Sequence, residues 1–189
     1  MAGRKVGILA LQGAFVEHEA ALRKCGALPI QVRTIQDIEQ VEGIILPGGE
    51  STTIGKLMQT YGLDEKIKTR CAQGMPIWGT CAGMILLAQE IAGSKQPGLQ
   101  LMDMAVRRNG FGRQVDSFET ELEVTGVGHC RGVFIRAPYV EKVWGDARIL
   151  AYYQERIVMV QEGNRLATAF HPELTEDLSI HRYFLEMLG

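Results

Sequence analysis

Pro76-Ile77-Trp78-Gly79-Thr80-Cys81-Ala82-Gly83 sets a short apolar strand directly before a Gly-x-Cys-x-Gly turn, and an apolar run, Met84 to Ala88, follows at once. The pattern predicts a strand over 76–78, a tight turn, and a helix over 83–91. It is the cysteine version of the Gly-x-Ser-x-Gly elbow, where a sharp strand-to-helix turn projects the central side chain and flanking glycines relieve crowding. The helix start adds free N–H groups and the positive end of a dipole, and both favour a thiolate. Cys81 is therefore the candidate nucleophile, and the Ala82 N–H is placed to donate to an oxyanion. The plainer alternative is a buried small side chain in a glycine-rich turn.

Upstream of the elbow, residues 6–11 and Gly43-Ile44-Ile45-Leu46 are short, continuously apolar runs, as in strands buried on both faces. They end in Gln12-Gly13 and Pro47-Gly48-Gly49-Glu50-Ser51-Thr52. Ile30-Gln31-Val32 is a further strand candidate. Between them, Ala14, Ala21, Leu22 and Cys25 mark a helix over 15–25, and Thr34 can cap a helical turn over 35–38. Ile54, Leu57, Met58 and Tyr61 mark another helix, and a charged one covers 63–72. Strands alternating with helices imply a parallel sheet covered on both faces. Downstream, strand candidates over 118–124, 133–136, 149–153, 157–160 and 166–170 carry few helix signals between them, which suggests antiparallel additions. A closing helix over 177–188 would turn Leu178, Phe184, Leu185 and Leu188 to the core. The expected fold is α/β, with a mostly parallel central sheet extended antiparallel in the second half, in one domain over 1–189.

The net charge is −2, so there is no basic excess to favour nucleic acid or an anionic membrane as main partner. No apolar run approaches the roughly 20 residues of a membrane span. The apolar run after the basic Met1-Ala2-Gly3-Arg4-Lys5 is short for a secretion signal. The four cysteines, Cys25, Cys71, Cys81 and Cys130, are too sparse for a disulfide scaffold and contain no CxxC pair. A cytoplasmic protein is expected.

A nucleophilic cysteine needs a base, and the chain has four histidines. His171 follows a strand candidate, where open α/β sheets collect their sites. In Phe170-His171-Pro172-Glu173, residues two apart project to one side, so Glu173 can fix the tautomer of His171 and stabilise its cation. His18, between Glu17 and Glu19, and His181, beside Arg182, read as surface residues. His129 reads as a loop residue without a carboxylate partner. In the Pro47-to-Thr52 loop, adjacent glycines let backbone approach a ligand and offer N–H donors, and Glu50 can accept from an ammonium or amide. This loop lacks the Gly-Lys-[Ser/Thr] of a phosphate loop.

Together these motifs resemble the triad (class I) glutamine amidotransferases. The resemblance is closest to the glutaminase subunits of ribose-5-phosphate-dependent pyridoxal 5′-phosphate synthases. Leu11-Gln12-Gly13, Leu46-Pro47-Gly48-Gly49-Glu50-Ser51-Thr52-Thr53, Gly79-Thr80-Cys81-Ala82-Gly83, Arg108-Asn109-Gly110-Phe111-Gly112-Arg113-Gln114, Val133-Phe134-Ile135-Arg136-Ala137-Pro138 and Phe170-His171-Pro172-Glu173-Leu174-Thr175 carry it from end to end. Many members have Ser where this chain has Gly110.

The resemblance implies a flavodoxin-like fold and hydrolysis of L-glutamine to glutamate and ammonia. The ammonia would pass to a synthase partner making pyridoxal 5′-phosphate. It implies Cys81 as nucleophile, His171 as base and acid, and Glu173 as its orienter. Gly49, Glu50, Ser51, Arg108, Ile135 and Arg136 would line the glutamine site, with backbone N–H groups of Gly48, Gly49 and Ala82 around the oxyanion. No metal or organic cofactor is expected. Three other readings compete: a hydrolase with the same elbow serving another partner, a non-catalytic flavodoxin-like module, and a nucleotide-binding domain.

Overall fold

A computed structural model describes residues 3–111 and 117–189, so Met1, Ala2 and the Gly112-Arg113-Gln114 part of the block that begins at Arg108 lie outside the described residues. The first half alternates as expected. Strands β1 (Lys5–Leu9), β2 (Leu28–Val32), β3 (Gly43–Leu46) and β4 (Ile77–Thr80) alternate with helices α1 (Phe15–Lys24), α2 (Ile35–Glu39), α3 (Ser51–Thr60) and α4 (Leu63–Ala72). Strands β3 and β4 are buried along their whole length, which is why they read as unbroken apolar runs. At α2, Thr34 and Asp37 form a reciprocal capping box.

Helix α5 (Ala82–Leu87) is shorter than the expected 83–91, and Ala88–Ile91 forms strand β5 instead. An apolar run of that length suits either state, and tertiary partners decide. The carbonyls of Leu86 and Leu87 bond to Leu99 N at 2.7 Å and Leu101 N at 2.9 Å, which ends the helix, and β5 pairs with β6 (Met102–Arg107). The second half adds β7 (Ser117–Val124), β8 (Gly128–Ile135), β9 (Tyr139–Val143), β10 (Arg148–Tyr153), β11 (Arg156–Glu162) and β12 (Arg165–Thr168), then a 3₁₀ turn over Pro172–Leu174 and helix α6 (Ser179–Glu186). Strands β5, β6 and β9 are additions to the expected set. They are stabilised mainly by pairing, such as Met104 against Val143, rather than by a strong local pattern. His129 lies on β8 opposite Glu123, not in a loop.

One sheet runs β2-β1-β3-β4-β12-β11-β9-β6-β5, with β10 on β11, while β7 and β8 form a separate hairpin. The first five strands of that order are parallel, in the 2-1-3-4-5 pattern of doubly wound sheets. Strand β12 turns the sheet antiparallel through β11 and β9. The central sheet is thus mostly parallel on one side and antiparallel on the other. Among the described residues, no helix is long and apolar enough to cross a membrane.

Candidate active site

The carboxyl ends of β1, β3, β4 and β12 open onto one cleft of about 450 Å³, at the edge where doubly wound sheets bind ligands. Its lining includes Gly48, Gly49, Glu50, Ser51, Cys81, Ala82, Arg108, Ile135, Arg136 and His171. Glu173 is buried directly behind His171.

The elbow exists because three pieces of backbone approach more closely than side chains allow. A Cβ on Gly79 would stand 2.4 Å from the carbonyl of Gly83, and a Cβ on Gly83 would stand 2.1 Å from the Leu46 oxygen. Glycine at both positions lets α5 start immediately against β3 and β4. The turn forces Cys81 to φ 50°, ψ −102°, outside the ordinary regions for an L-residue. Its N–H bonds the Thr168 carbonyl at 2.8 Å, which locks the elbow to β12.

His171 is held from two sides. Its backbone N–H bonds the Val133 carbonyl at 2.7 Å, and its Nδ1–H donates to Glu173 Oε1 at 2.7 Å. That leaves Nε2 to serve Cys81, which lines the same cleft and whose thiol lies 4.0 Å from the Ile135 carbonyl oxygen. Burial by itself lowers the imidazole pKa, but the neighbouring Cys81 and Glu173 side chains outweigh it and push it up to about 10. Burial raises the Glu173 carboxyl, but the imidazoles facing its two oxygens outweigh that and hold it below its usual value. A thiol, an imidazole and a carboxylate in this order can perform nucleophilic acyl transfer.

The glycine loop packs on the same group. A Cβ on Gly48 would stand 2.3 Å from His171 Cε1, so a side chain there would displace the imidazole. The Gly48 carbonyl accepts from Ala14 N at 3.0 Å, and Gln12 Oε1 accepts from Glu50 N at 2.8 Å. On the far wall, Gly110 N bonds the Ala137 carbonyl at 2.9 Å, which brings the Arg108 and Arg136 segments together. A Cβ on Gly110 would stand 2.0 Å from the Tyr139 ring, which accounts for glycine at that position.

The profile of the SNO glutamine amidotransferase family matches residues 8–189. The chain belongs to this family. It is 54% identical, over 97% of this chain and 98% of the relative, to the pyridoxal 5′-phosphate synthase subunit PdxT of Desulforamulus reducens. With the protein of the same name from Pelotomaculum thermopropionicum, identity is 56% over 96% of this chain and 94% of the relative. A crystal structure of a glutamine amidotransferase matches with a TM-score of 0.94 at 49% identity, covering 97% of this chain and 98% of the other.

Two histidines of this SNO family member are not where the sequence reading put them. His18 and His181 are completely buried, not on the surface. His18 Nε2 lies 3.4 Å from Glu173 Oε2, and His18 Nδ1 lies 3.0 Å from His181 Nε2. A signal was present. His18 falls in step with Ala14, Ala21, Leu22 and Cys25, and His181 with Leu178, Phe184, Leu185 and Leu188, so both occupy the apolar stripes of their helices. Gln96 was also missed. Its Oε1 accepts from Arg108 Nη1 at 3.1 Å and faces Ser51 Oγ at 3.3 Å and Thr52 Oγ1 at 3.4 Å, tying one arginine to the glycine loop.

Proposed function

We propose that this chain hydrolyses L-glutamine to L-glutamate and ammonia and supplies the ammonia to a synthase subunit that makes pyridoxal 5′-phosphate. The observation that carries this is the Cys81–His171–Glu173 line at one cleft, in a chain closely similar to subunits of pyridoxal 5′-phosphate synthases. Residues 1–189 act as a single glutaminase domain, in the cytoplasm.

Cys81 Sγ attacks the side-chain amide carbon of glutamine. Backbone N–H groups of Ala82 and the Gly48-Gly49 segment hold the oxyanion that forms. A pKa pushed up to about 10 keeps His171 protonated at neutral pH, and it gives that proton to the departing ammonia. His171 then takes a proton from water, which attacks the thioester and releases glutamate and the free thiol. Glu173 keeps the Nδ1–H tautomer and stabilises the cation. Arg108 and Arg136 are the cations available for the α-carboxylate, and Glu50 is an acceptor for the α-ammonium. Gly49, Ser51 and Ile135 complete the walls.

The test is ammonia release from glutamine by the chain mixed with its synthase partner. Cys81→Ser should keep its fold and lose at least about 10³-fold in kcat, the scale of losing one triad member. Retained turnover in that variant would rule out the covalent route.

A further inference from the structure

Resting on the glutaminase assignment above, we propose that His18 is a positioning residue for the triad: its Nε2–H holds the outer oxygen of Glu173, and His181 fixes its tautomer. Glu173 has two oxygens. Oε1 takes the His171 Nδ1–H at 2.7 Å, while Oε2 is buried and faces His18 Nε2 at 3.4 Å, with no closer partner. A buried carboxylate with one tethered oxygen can rotate about its terminal bond, and the His171 hydrogen bond would rotate with it. A second donor on Oε2 removes that freedom.

The protons along the chain follow from what each atom can do. A carboxylate oxygen only accepts, so Nε2 of His18 carries the hydrogen; a bare lone pair there would face the carboxylate. That nitrogen is in hydrogen-bond geometry with Thr80 Oγ1 at 3.2 Å, and Glu173 Oε2 stands beside it at 3.4 Å, close enough to draw on the same N–H. A neutral His18 then has Nδ1 as an acceptor, and the donor within reach is His181 Nε2 at 3.0 Å. His181 in turn is left with a bare Nδ1, and that atom is buried without any partner, so the opposite tautomer would bury an unsatisfied N–H there. The pair stays neutral because it is enclosed. Trp78 packs edge-on against both rings, with centroids 5.3 Å from His18 and 4.9 Å from His181. Burial lowers both imidazoles, and His181 is pushed down to about 3. A neutral donor fits the role, since a second imidazolium would compete with His171 for the carboxylate.

Three variants assayed in the synthase complex separate positioning from packing. His18→Leu should lower kcat roughly 10- to 100-fold, the scale of an outer hydrogen-bond partner, with KM unchanged. His18→Gln can put an amide N–H near the Nε2 position and should recover most of that loss. His18→Asn reaches only the Nδ1 position and should not. Wild-type kcat in His18→Leu, or equal rescue by Asn and Gln, overturns the proposal. Should the variants fail to fold, ¹⁵N spectra of the histidine-labelled wild-type chain decide it. Protonated Nε2 and bare Nδ1 on both His18 and His181 support the chain of donors; the opposite tautomer or an imidazolium at His18 overturns it. This spectrum needs no turnover. A wild-type complex that releases no ammonia would therefore defeat the glutaminase assignment and leave the tautomer result standing on its own.

Discussion

His171 and Glu173 share a 2.7 Å hydrogen bond but do different work. In the proposed reaction the imidazole moves protons at both steps and the carboxylate holds the imidazole. His171→Ala should therefore be at least as damaging as Glu173→Ala, with both losses measured as kcat in the complex. Loss of a triad acid alone can cost roughly 10⁴. The reverse order would mean that Glu173 acts directly on substrate or water. Arg108 and Arg136 line the cleft, and in the proposed reaction they carry no step of the chemistry. Replacing either with Ala should raise KM or weaken complex formation by about 1.5–3 kcal/mol, the size of a charged hydrogen bond. Isothermal binding and steady-state kinetics on the two variants check this, and no change in both quantities would remove the arginines from the site.

Among the elements, the turn after β3 is where a gate on the oxyanion would act. Gly48 and Gly49 have no positive φ, so they are glycine for space rather than for backbone conformation. The Gly48 carbonyl is bound to the Ala14 N–H, and in a trans peptide the Gly49 N–H points the opposite way. Turning that peptide would break one hydrogen bond and exchange a donor for an acceptor at the oxyanion. One such donor is worth about 10²–10³ in kcat, so if the peptide turns whenever no partner is docked, the isolated chain should hydrolyse glutamine at least ~10²-fold more slowly than the complex. The two glycines separate gate from chemistry. Gly48→Val pushes on His171 and should abolish turnover in both states. A Cβ on Gly49 would stand 2.5 Å from Gln12 Oε1, so Gly49→Ala should displace that side chain and shrink the activation by the partner while association persists. An activation ratio equal to wild type in Gly49→Ala would place the gate elsewhere.

For the molecule as a whole, the buried imidazoles set the pH range of stability. His18 and His181 are held neutral, with pKa values lowered in the native state, while the unfolded chain titrates them near ~6.5. Below about pH 6.5 the unfolded state binds protons that the native state refuses, so stability falls as pH falls. Glu173, lowered in the native state, joins that loss only below its unfolded pKa of ~4.3. His171 acts oppositely. Its raised pKa gives stability that is complete below ~6.5 and is lost as pH rises toward about 10. Thermal unfolding should therefore peak near neutral pH. The limb between ~6.5 and ~4.5 should become shallower in His181→Phe, and the alkaline limb should become shallower in His171→Ala. An unfolding midpoint independent of pH from ~6.5 to ~5 would show that the two buried histidines are not neutral.

What the sequence determined by itself is the part of this protein written in short range. The elbow depends on a strand, two glycines and a helix start that are contiguous. The His171–Glu173 pair depends on two residues with one proline between them. The parallel half depends on apolar runs with turn residues at their ends. The order of the motifs was enough to bring Cys81, His171 and the glycine loop to one sheet edge. The tertiary structure alone decided the rest. Residues 88–91 became a strand because β6 lay beside them and other carbonyl partners ended the helix. His18 and His181, 163 residues apart, became interior groups with their ring nitrogens 3.0 Å from one another, and Glu173 and Trp78 close the site around them. Periodicity shows which face a residue shares. It does not show whether a polar side chain on that face has a partner, and without a partner burial of a polar group is too costly to expect.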